Sequence, residues 1–534
     1  MNDASDMLGR AKNRVAKNQM SRRDFMQLAI ATGLSVTAAQ ALLTTQAQAQ
    51  PQPKKGGLLR LGISNGSTSD SLDPATYNNA MTSTTLWGSG ANSLTEVDAA
   101  GNITPDLAES FDSSDGAKTW MFKLRRGVTF HDGRSLTAKD VVASIRHHMG
   151  PNTKSGAKGV LAAVSDVKAD GDETVVFTLS GGNADFPFYV SDYHLPIMQA
   201  NDDGSANWQS MVRTGPFIIE SFEPGIRASL KRNPNYHRDV WFDELTLTVI
   251  TDVAARTNAL VTGAVDYIDR CELKTVGLLE RNPDIEIDKV SGYEHFIMVM
   301  NTTVAPFDNP KVRNALKYAI DREDIAKKVF AGINTAANDN PIAPSIQFSI
   351  DPQPVHRYDP DKARALLKEA GLDRLSIDLS TSDAAFAGAV DAAVLFKEHA
   401  RAAGIDINVI REPADSYWDK VWMKVPMCVT FWNGRPTADW MFANTYAAGS
   451  QWNETAWQNA RFNELLLAAR VETDNDKRAG MYAEMQQLVH DDGGLINIAW
   501  STNVSAHNKS LSHGAIATNW DIDGRKLASR WWRR

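Results

Sequence analysis

WMFKLRRGVTFHDGRSLTAKDVVASI, residues 120–145, contains the signals of a strand, a turn and a helix in close succession. Large apolar side chains recur at every second position of its first five residues, at Trp120, Phe122 and Leu124, as in a half-buried strand. We expect this strand to end at Phe130 and His131-Asp132-Gly133 to form a turn. Thr137 then caps a helix with Asp140 at its third position and an apolar face along Val141, Val142 and Ile145. The segment predicts a mixed α/β fold.

Strand and helix signals alternate on both sides of this segment. Asn309-Pro310 and Asp359-Pro360 each open a predicted helix, and Gly371 marks the C-terminal cap of the second. Short apolar or alternating runs predict strands at 58–63, 245–249, 405–410 and 495–498. The chain is therefore expected to combine mixed sheets with flanking helices.

The N-terminus has the three parts of an export signal. Arg22-Arg23 closes a basic stretch, an uncharged run covers residues 26–43, and Ala47-Gln48-Ala49 follows. The paired arginines with Phe25 resemble a bacterial twin-arginine signal. The alternatives are a retained amphipathic helix and a membrane span, but the run is too polar for a stable span. We expect residues 1–49 to be a signal peptide, cleaved near Ala49, and residues 50–56 to be a tether.

Composition describes an ordinary globular protein. The 534 residues are 43% hydrophobic and 22% charged, and this length supports more than one core. Removal of residues 1–49 would leave 50 basic and 61 acidic residues, a formal charge of −11. Because the remaining sequence contains no stripe of basic residues, nucleic acid is not an expected partner.

Catalytic and metal motifs are weak in this sequence. Residues 62–66 match G-x-S-x-G, but turn residues follow where a nucleophile elbow needs a helix. His147 and His148 are adjacent, so they diverge on a helix and do not easily share a metal ion. Cys271 and Cys428 belong to no C-x-x-C pair. We therefore predict no catalytic residues, no metal site and no cofactor.

A series of short segments carries a family resemblance. They occur in one order along the chain: Pro105–Ser110, Phe130–Gly133, Thr214–Phe217, Arg232–Tyr236, Gly263–Asp266, Asn301–Thr303, Ala319–Arg322 and Tyr358–Pro360. Together they resemble the large solute-binding proteins of peptide-type ABC importers, the dipeptide, oligopeptide and nickel group. Each segment is common, whereas the ordered set from residue 57 to the C-terminus is specific.

The resemblance implies a two-lobed periplasmic-binding-protein clamshell with an extra domain inserted in the first lobe. Lobe I would comprise residues 57–88, 213–292 and 501–534, the inserted domain 89–212, and lobe II 293–500. Cys271 and Cys428 would then lie on opposite lobes. A disulfide between them would prevent the two lobes from opening and closing, so we expect two free thiols.

The implied function is that of a periplasmic, monomeric binding protein which captures peptides between its lobes and delivers them to inner-membrane ABC permease subunits. The same clamshell carrying a sugar, an opine-like conjugate, a nickel chelate or haem is the alternative, because one fold serves many cargoes. A periplasmic enzyme is a second alternative.

The ligand-binding residues expected from the resemblance lie mainly in residues 431–440. Asp439 resembles the aspartate that holds a peptide ammonium group, Arg435 suits a carboxylate, and Trp432 would form a flat wall. Asn433 and Trp440 complete this group. The cleft residues expected from the first lobe are Asn78, Asn79, Met81, Thr82 and Trp87. The alternative is that Asp439 caps a helix while Trp440 packs in the core.

Overall fold

One long mixed sheet organises the protein in the computed structural model, which describes residues 53–150, 153–413, 417–450 and 452–534. Residues Lys55–Arg533 form one compact unit. The predicted signal peptide and residues 50–52 of the predicted tether lie outside the described residues. No helix in the described ranges is long and apolar enough to cross a membrane.

Nineteen strands occur in these ranges. In chain order, β1 to β19 are Leu58–Ile63, Thr95–Val97, Ile103–Pro105, Ala108–Ser114, Thr119–Leu124, Val164–Asp170, Thr174–Leu179, Phe217–Glu223, Arg227–Arg232, Glu244–Val249, Tyr267–Ile268, Ile285–Met300, Thr335–Ala336, Leu375–Thr381, Ile405–Arg411, Met427–Trp432, Leu495–Asn508, Leu511–Ser512 and Trp532–Arg533.

Fifteen α-helices or single helical turns accompany the strands within the same ranges. In chain order, α1 to α15 are Ala80–Thr82, Ala138–His147, Phe186–Tyr189, Val253–Val261, Val276–Leu279, Pro310–Tyr318, Arg322–Lys328, Pro360–Glu369, Ala389–Arg401, Tyr417–Lys420, Ala438–Thr445, Ala460–Val471, Asn475–Asp492, Asp521–Gly524 and Leu527–Arg530. Pro74–Thr76 and Gly156–Lys158 are 3-10 turns, and Ser83–Ser89 is a π-helical turn.

The main sheet has the order β15-β14-β16-β12-β17-β11-β1-β10-β9-β8, with β13 paired to β17. Its centre is the antiparallel pair β12 and β17, which runs from Ile285 opposite Asn508 to Val299 opposite Leu495, with register shifts between Ser291 and His295 and between Phe296 and Ile297. Parallel pairs occur on both sides, β1 with β10 and β14 with β15. The mixed α/β class predicted from the sequence is confirmed.

A separate four-stranded antiparallel sheet has the order β4-β5-β7-β6. β5 confirms the alternating strand at Trp120, but it ends at Leu124 and not at the predicted Phe130. The early end follows from a turn at Arg125-Arg126-Gly127, where Gly127 has a φ of +77° that suits glycine. Helix α2 has the predicted capping box, because the Asp140 carboxylate accepts from the Thr137 backbone N–H at 2.9 Å.

Three large hydrophobic cores lie in different parts of the chain. One contains residues between 293 and 500, a second combines residues 59–87, 217–267 and 511–531, and a third lies between 94 and 197. These stretches fall within the ranges expected for lobe II, lobe I and the inserted domain. The domain limits themselves stay a prediction.

The two cysteines are buried free thiols, as predicted. Cys271 packs with Leu260 and Ile285 in a smaller core, whereas Cys428 lies in the core of residues 293–500.

Candidate ligand-binding site

A cleft of about 750 Å³ lies between these cores. Its volume is in the range of roughly 300–1,000 Å³ that small-molecule sites occupy. All three predicted parts of the clamshell contribute side chains: Asn65, Asn78, Asn79, Arg270 and Trp520 from lobe I; Ser191, Asp192 and Tyr193 from the inserted domain; and Glu294, Asn433, Arg435, Trp440 and Trp452 from lobe II.

Arg435 is a cation of the cleft without an ion-pair partner in the described chain. It follows β16, whose last residue, Trp432, lies opposite His295 of β12. The guanidinium lies over the Trp432 ring, 5.6 Å from the centroid, and its Nη1 donates to the Asn433 carbonyl at 2.5 Å. Burial lowers the pKa of Arg435, although Asp192 opposes this effect. A guanidinium held in this way is suited to a ligand carboxylate.

Asn444 helps to hold Arg435 in place. With its amide oriented so that the oxygen faces both donors, Asn444 accepts from Arg435 Nε at 3.3 Å and from Trp440 Nε1 at 3.2 Å. The Nη2 atom of Arg435 makes no hydrogen bond within the described residues, so it remains able to meet a ligand.

Glu294 supplies the opposite charge to the same cleft. Glu294 lies in the irregular stretch of β12 between Ser291 and His295, where it lines the cleft beside Gly292 and Tyr293, while His295 is fully buried. No ion pair involves Glu294 within the described ranges, and nearby Arg270 is itself paired with Asp521 at 2.9 Å. Burial raises the pKa of the Glu294 carboxyl, which Arg270 only partly offsets. A ligand ammonium group would satisfy this carboxylate.

Aromatic rings form the walls between these charges. Trp440 packs against Tyr189 at 4.6 Å between centroids, and Trp520 meets Tyr193 edge to face at 5.4 Å. Trp452 stays 45% exposed beside the cleft. Such rings bury apolar ligand surface while their polar edges remain available.

The structure brings five of the predicted site residues to the cleft, namely Asn78, Asn79, Asn433, Arg435 and Trp440. Trp432 is 8% exposed and lies behind Arg435, where its Nε1 donates to the Glu454 carboxylate at 2.7 Å. Burial raises the pKa of Glu454 to about 7. Trp432 therefore supports Arg435 in this geometry, while its predicted wall role stays a prediction.

Asp439 lies inside the protein, away from the cleft lining. The residue is fully buried in the first turn of α11, and its carboxylate accepts from Arg470 Nε at 2.8 Å and from Tyr189 OH at 3.4 Å. Burial raises its pKa to about 6 despite Arg470. The alternative in which Asp439 caps the helix is wrong, because Thr437 is the N-cap of α11. Contact of Asp439 with a ligand ammonium stays a prediction that this geometry does not support.

Thr82 and Trp87 are also buried behind the first lobe's surface. Thr82 donates to the Asn79 carbonyl at 3.3 Å, and Trp87 Nε1 donates to Ser93 Oγ at 2.9 Å. Neither side chain lines the cleft, whereas their neighbours Asn78 and Asn79 do. A direct ligand contact by Thr82 or Trp87 stays a prediction.

Sequence reasoning missed Glu294, Asp192, Tyr193, Trp452 and Trp520 as cleft residues. Their common feature is that they come from segments far apart in the chain, which only the folded sheet brings together.

The sequence model of the bacterial extracellular solute-binding proteins, family 5, matches residues 102–454, more than half of the chain. Among curated proteins, the glutathione-binding protein GsiB of Pectobacterium atrosepticum is 27% identical over 469 residues, covering 84% of this chain and 90% of its own. The dipeptide-binding protein of Escherichia coli K12 is 28% identical over 441 residues, covering 75% of this chain and 81% of its own.

Solved structures share the fold. HbpA2 from Haemophilus parasuis superposes with a TM-score of 0.77 at 22% identity, covering 86% of this chain and 96% of its own. The periplasmic binding protein DppA from Helicobacter pylori, solved with the peptide STSA, has a TM-score of 0.70 at 23% identity, covering 91% of this chain and 100% of its own. The expected periplasmic-binding-protein clamshell is confirmed at the level of fold.

Proposed function

Because the chain belongs to family 5 of the bacterial extracellular solute-binding proteins, we propose that it captures short peptides with free termini and delivers them to an ABC permease. One observation carries the choice of ligand: Arg435 and Glu294, a cation and an anion without ion-pair partners in the described chain, line the same cleft. A peptide zwitterion presents a carboxylate and an ammonium group that match them. The names of the glutathione- and dipeptide-binding relatives agree with this class of ligand.

Binding would act by closing the cleft. Arg435 and Glu294 come from the lobe II range, whereas Asn79, Arg270 and Trp520 come from the lobe I range. A ligand that contacts both sides stabilises the closed arrangement by its greater affinity for that state. The closed form would dock, as a monomer, on inner-membrane permease subunits, and no step requires chemistry by the protein.

The place of action follows from the N-terminus. We infer a twin-arginine export signal cut near Ala49, so that the protein works in the periplasm. The match to a family of extracellular binding proteins supports export, while the type of signal rests on Arg22-Arg23 and Phe25.

A thermal-unfolding screen tests the proposed ligand class. The protein is melted with di- to hexapeptides and, separately, with oligosaccharides, opine-like conjugates, nickel chelates and haem. A ligand at a hundredfold its dissociation constant stabilises the folded state by ~2.7 kcal/mol, a measurable shift. The proposal expects shifts with peptides. Shifts with another class alone would retain a binding protein and overturn the peptide assignment.

A further inference from the structure

A cluster of one carboxylate and two imidazoles lies outside the cleft lining. Asp288 is on β12, His507 is near the end of β17, and His513 directly follows β18. One ligand atom from each residue lies within 4.8 Å of the other two. The cluster therefore joins the central strand pair to the C-terminal segment of the chain.

Backbone carbonyls fix which nitrogen of each imidazole carries a proton. His507 Nδ1 is 3.0 Å from the Asn508 carbonyl, and His513 Nδ1 is 2.8 Å from the Gly514 carbonyl. A carbonyl only accepts hydrogen bonds, so both Nδ1 atoms must donate. In each neutral ring the Nε2 lone pair is then left free. Metal-binding histidines are oriented in the same way, by an Nδ1–H bonded to a carbonyl.

Both free nitrogens point at one carboxylate. His507 Nε2 is 3.3 Å from Asp288 Oδ2, and His513 Nε2 is 3.4 Å from Asp288 Oδ1. The His507 side chain is fully buried, and neither its Nε2 nor Asp288 Oδ2 has a well-formed hydrogen bond within the described residues. An imidazole lone pair and a carboxylate oxygen are both acceptors, so a cation must lie between them to satisfy both. Leaving such buried polar atoms without a partner would cost folding free energy.

The spacing is longer than that of a shared proton and is compatible with a metal ion. A hydrogen bond from an imidazolium to a carboxylate is shorter, about 2.7–2.9 Å. Two atoms bound tetrahedrally to Zn²⁺ at roughly 2.0–2.1 Å lie about 3.3 Å apart. Each Nε2 lies close to this distance from one oxygen of Asp288, His507 from Oδ2 and His513 from Oδ1. Trp531 holds the two rings in this arrangement, stacked on His513 at 4.3 Å and edge-on to His507 at 4.9 Å.

We propose that Asp288, His507 and His513 form a binding site for a divalent transition-metal cation such as Zn²⁺, separate from the solute cleft. Three protein ligands leave a fourth position for water. The Asp288 and His513 side chains are 13% and 17% exposed, which gives the ion a route from solvent. The bound ion would link β12 and β17 to the C-terminal segment and stabilise the folded state.

Metal content and thermal stability test this site. The purified protein is stripped with a chelator, dialysed against Zn²⁺ alone and analysed for bound metal. We expect one Zn²⁺ per chain and a higher melting temperature with Zn²⁺ than without it. Asp288→Asn and His513→Gln should each weaken Zn²⁺ binding by about tenfold or more and abolish the thermal shift. Both residues are partly exposed, so these variants are chosen over changes at the buried His507.

His147→Gln is the matched control. His147 also pairs with an aspartate, Asp73 at 2.7 Å, but it does not belong to the three-ligand cluster. This variant should bind Zn²⁺ like the unchanged protein, as should Arg435→Ala in the cleft. The proposal is overturned if the stripped protein binds no Zn²⁺, which is the result expected if protonated imidazoles of His507 and His513 pair with the Asp288 carboxylate. It is also overturned if Asp288→Asn and His513→Gln bind Zn²⁺ as the unchanged protein does.

Discussion

At the scale of single residues, Glu294 makes binding depend on pH. Its carboxylate must be ionised to hold a ligand ammonium group, and burial raises the pKa of this carboxyl. Affinity for a free-amine peptide should therefore fall as the pH drops through that raised pKa, at a higher pH than for an ordinary glutamate. Glu294→Gln should weaken binding at pH 7 by about tenfold, the value of a charge-assisted hydrogen bond, and remove this pH dependence. Titration calorimetry across the pH range measures both effects.

An N-acetylated peptide is the control for this prediction. It lacks the ammonium group, so Glu294→Gln should not change its affinity. Equal losses for acetylated and free peptides would assign Glu294 a structural role.

Asp439 and Arg470 form a buried pair whose loss should affect stability and not binding. Asp439→Asn removes a charge from a fully buried site and leaves Arg470, which is 30% exposed, without its partner. We expect a loss of about 2 kcal/mol in unfolding free energy, below the range for fully buried pairs because Arg470 reaches solvent. Peptide affinity should remain the same. Denaturant unfolding and calorimetry on one preparation measure the two quantities.

Asp361→Asn provides the comparison, because Asp361 and Arg364 form an exposed ion pair on α8. This change should leave the unfolding free energy nearly unaltered. A clear loss of peptide affinity in Asp439→Asn at unchanged stability would restore Asp439 as a ligand contact.

Charged site residues were only partly predictable from the sequence. Arg435 was found because it lies in a short segment that resembles relatives. Asp439 lies in the same segment, but the sequence does not reveal that Arg470 and Tyr189 close around it. Burial and pairing depend on contacts between distant residues, so residue type alone does not separate a ligand contact from an internal ion pair.

At the scale of elements, the loop after β16 depends on a glycine. A Cβ atom at Gly434 would overlap the Tyr293 backbone carbonyl of β12. Gly434→Ala should therefore displace the loop that carries Arg435, cost about 1–3 kcal/mol in stability and weaken peptide binding. Thermal unfolding and calorimetry test this prediction.

Gly480→Ala is the matched control for that change. Gly480 lies on the exposed face of α13, with no neighbouring heavy atom within 4 Å of the added Cβ. Alanine there should stabilise the protein by about 1 kcal/mol through helix propensity and leave binding unchanged. Full binding by Gly434→Ala would show that the loop does not position Arg435.

Helix starts were more predictable than strand lengths. Asn309 and Asp359 cap α6 and α8 as expected, because capping depends on residues within one turn. The predicted strand at 495–498 is instead β17, which runs from Leu495 to Asn508. Its polar second half pairs with β12 over a long register, and local hydrophobic alternation does not detect such pairing.

At the scale of the whole molecule, the two thiols belong to different cores and should remain unreactive. Burial raises the pKa of Cys271 to about 12 and that of Cys428 further. Because the thiolate is the reactive form, neither should react with a thiol reagent at pH 8 in the folded protein, and both should react in denaturant. Mass spectrometry counts the labels. Fewer than two labels in denaturant without reductant would contradict the two free thiols.

The measurement that tests the central claim most directly is a double-mutant cycle on the ligand carboxylate. Calorimetry compares one peptide with its C-terminally amidated form, on the unchanged protein and on Arg435→Ala, with the exposed Arg411→Ala as control. We predict that amidation and Arg435→Ala each weaken binding by about tenfold or more, and that their effects do not add, because both remove the same charge-assisted contact. Fully additive losses, or equal affinity for both peptides on the unchanged protein, would contradict recognition of the peptide carboxylate by Arg435.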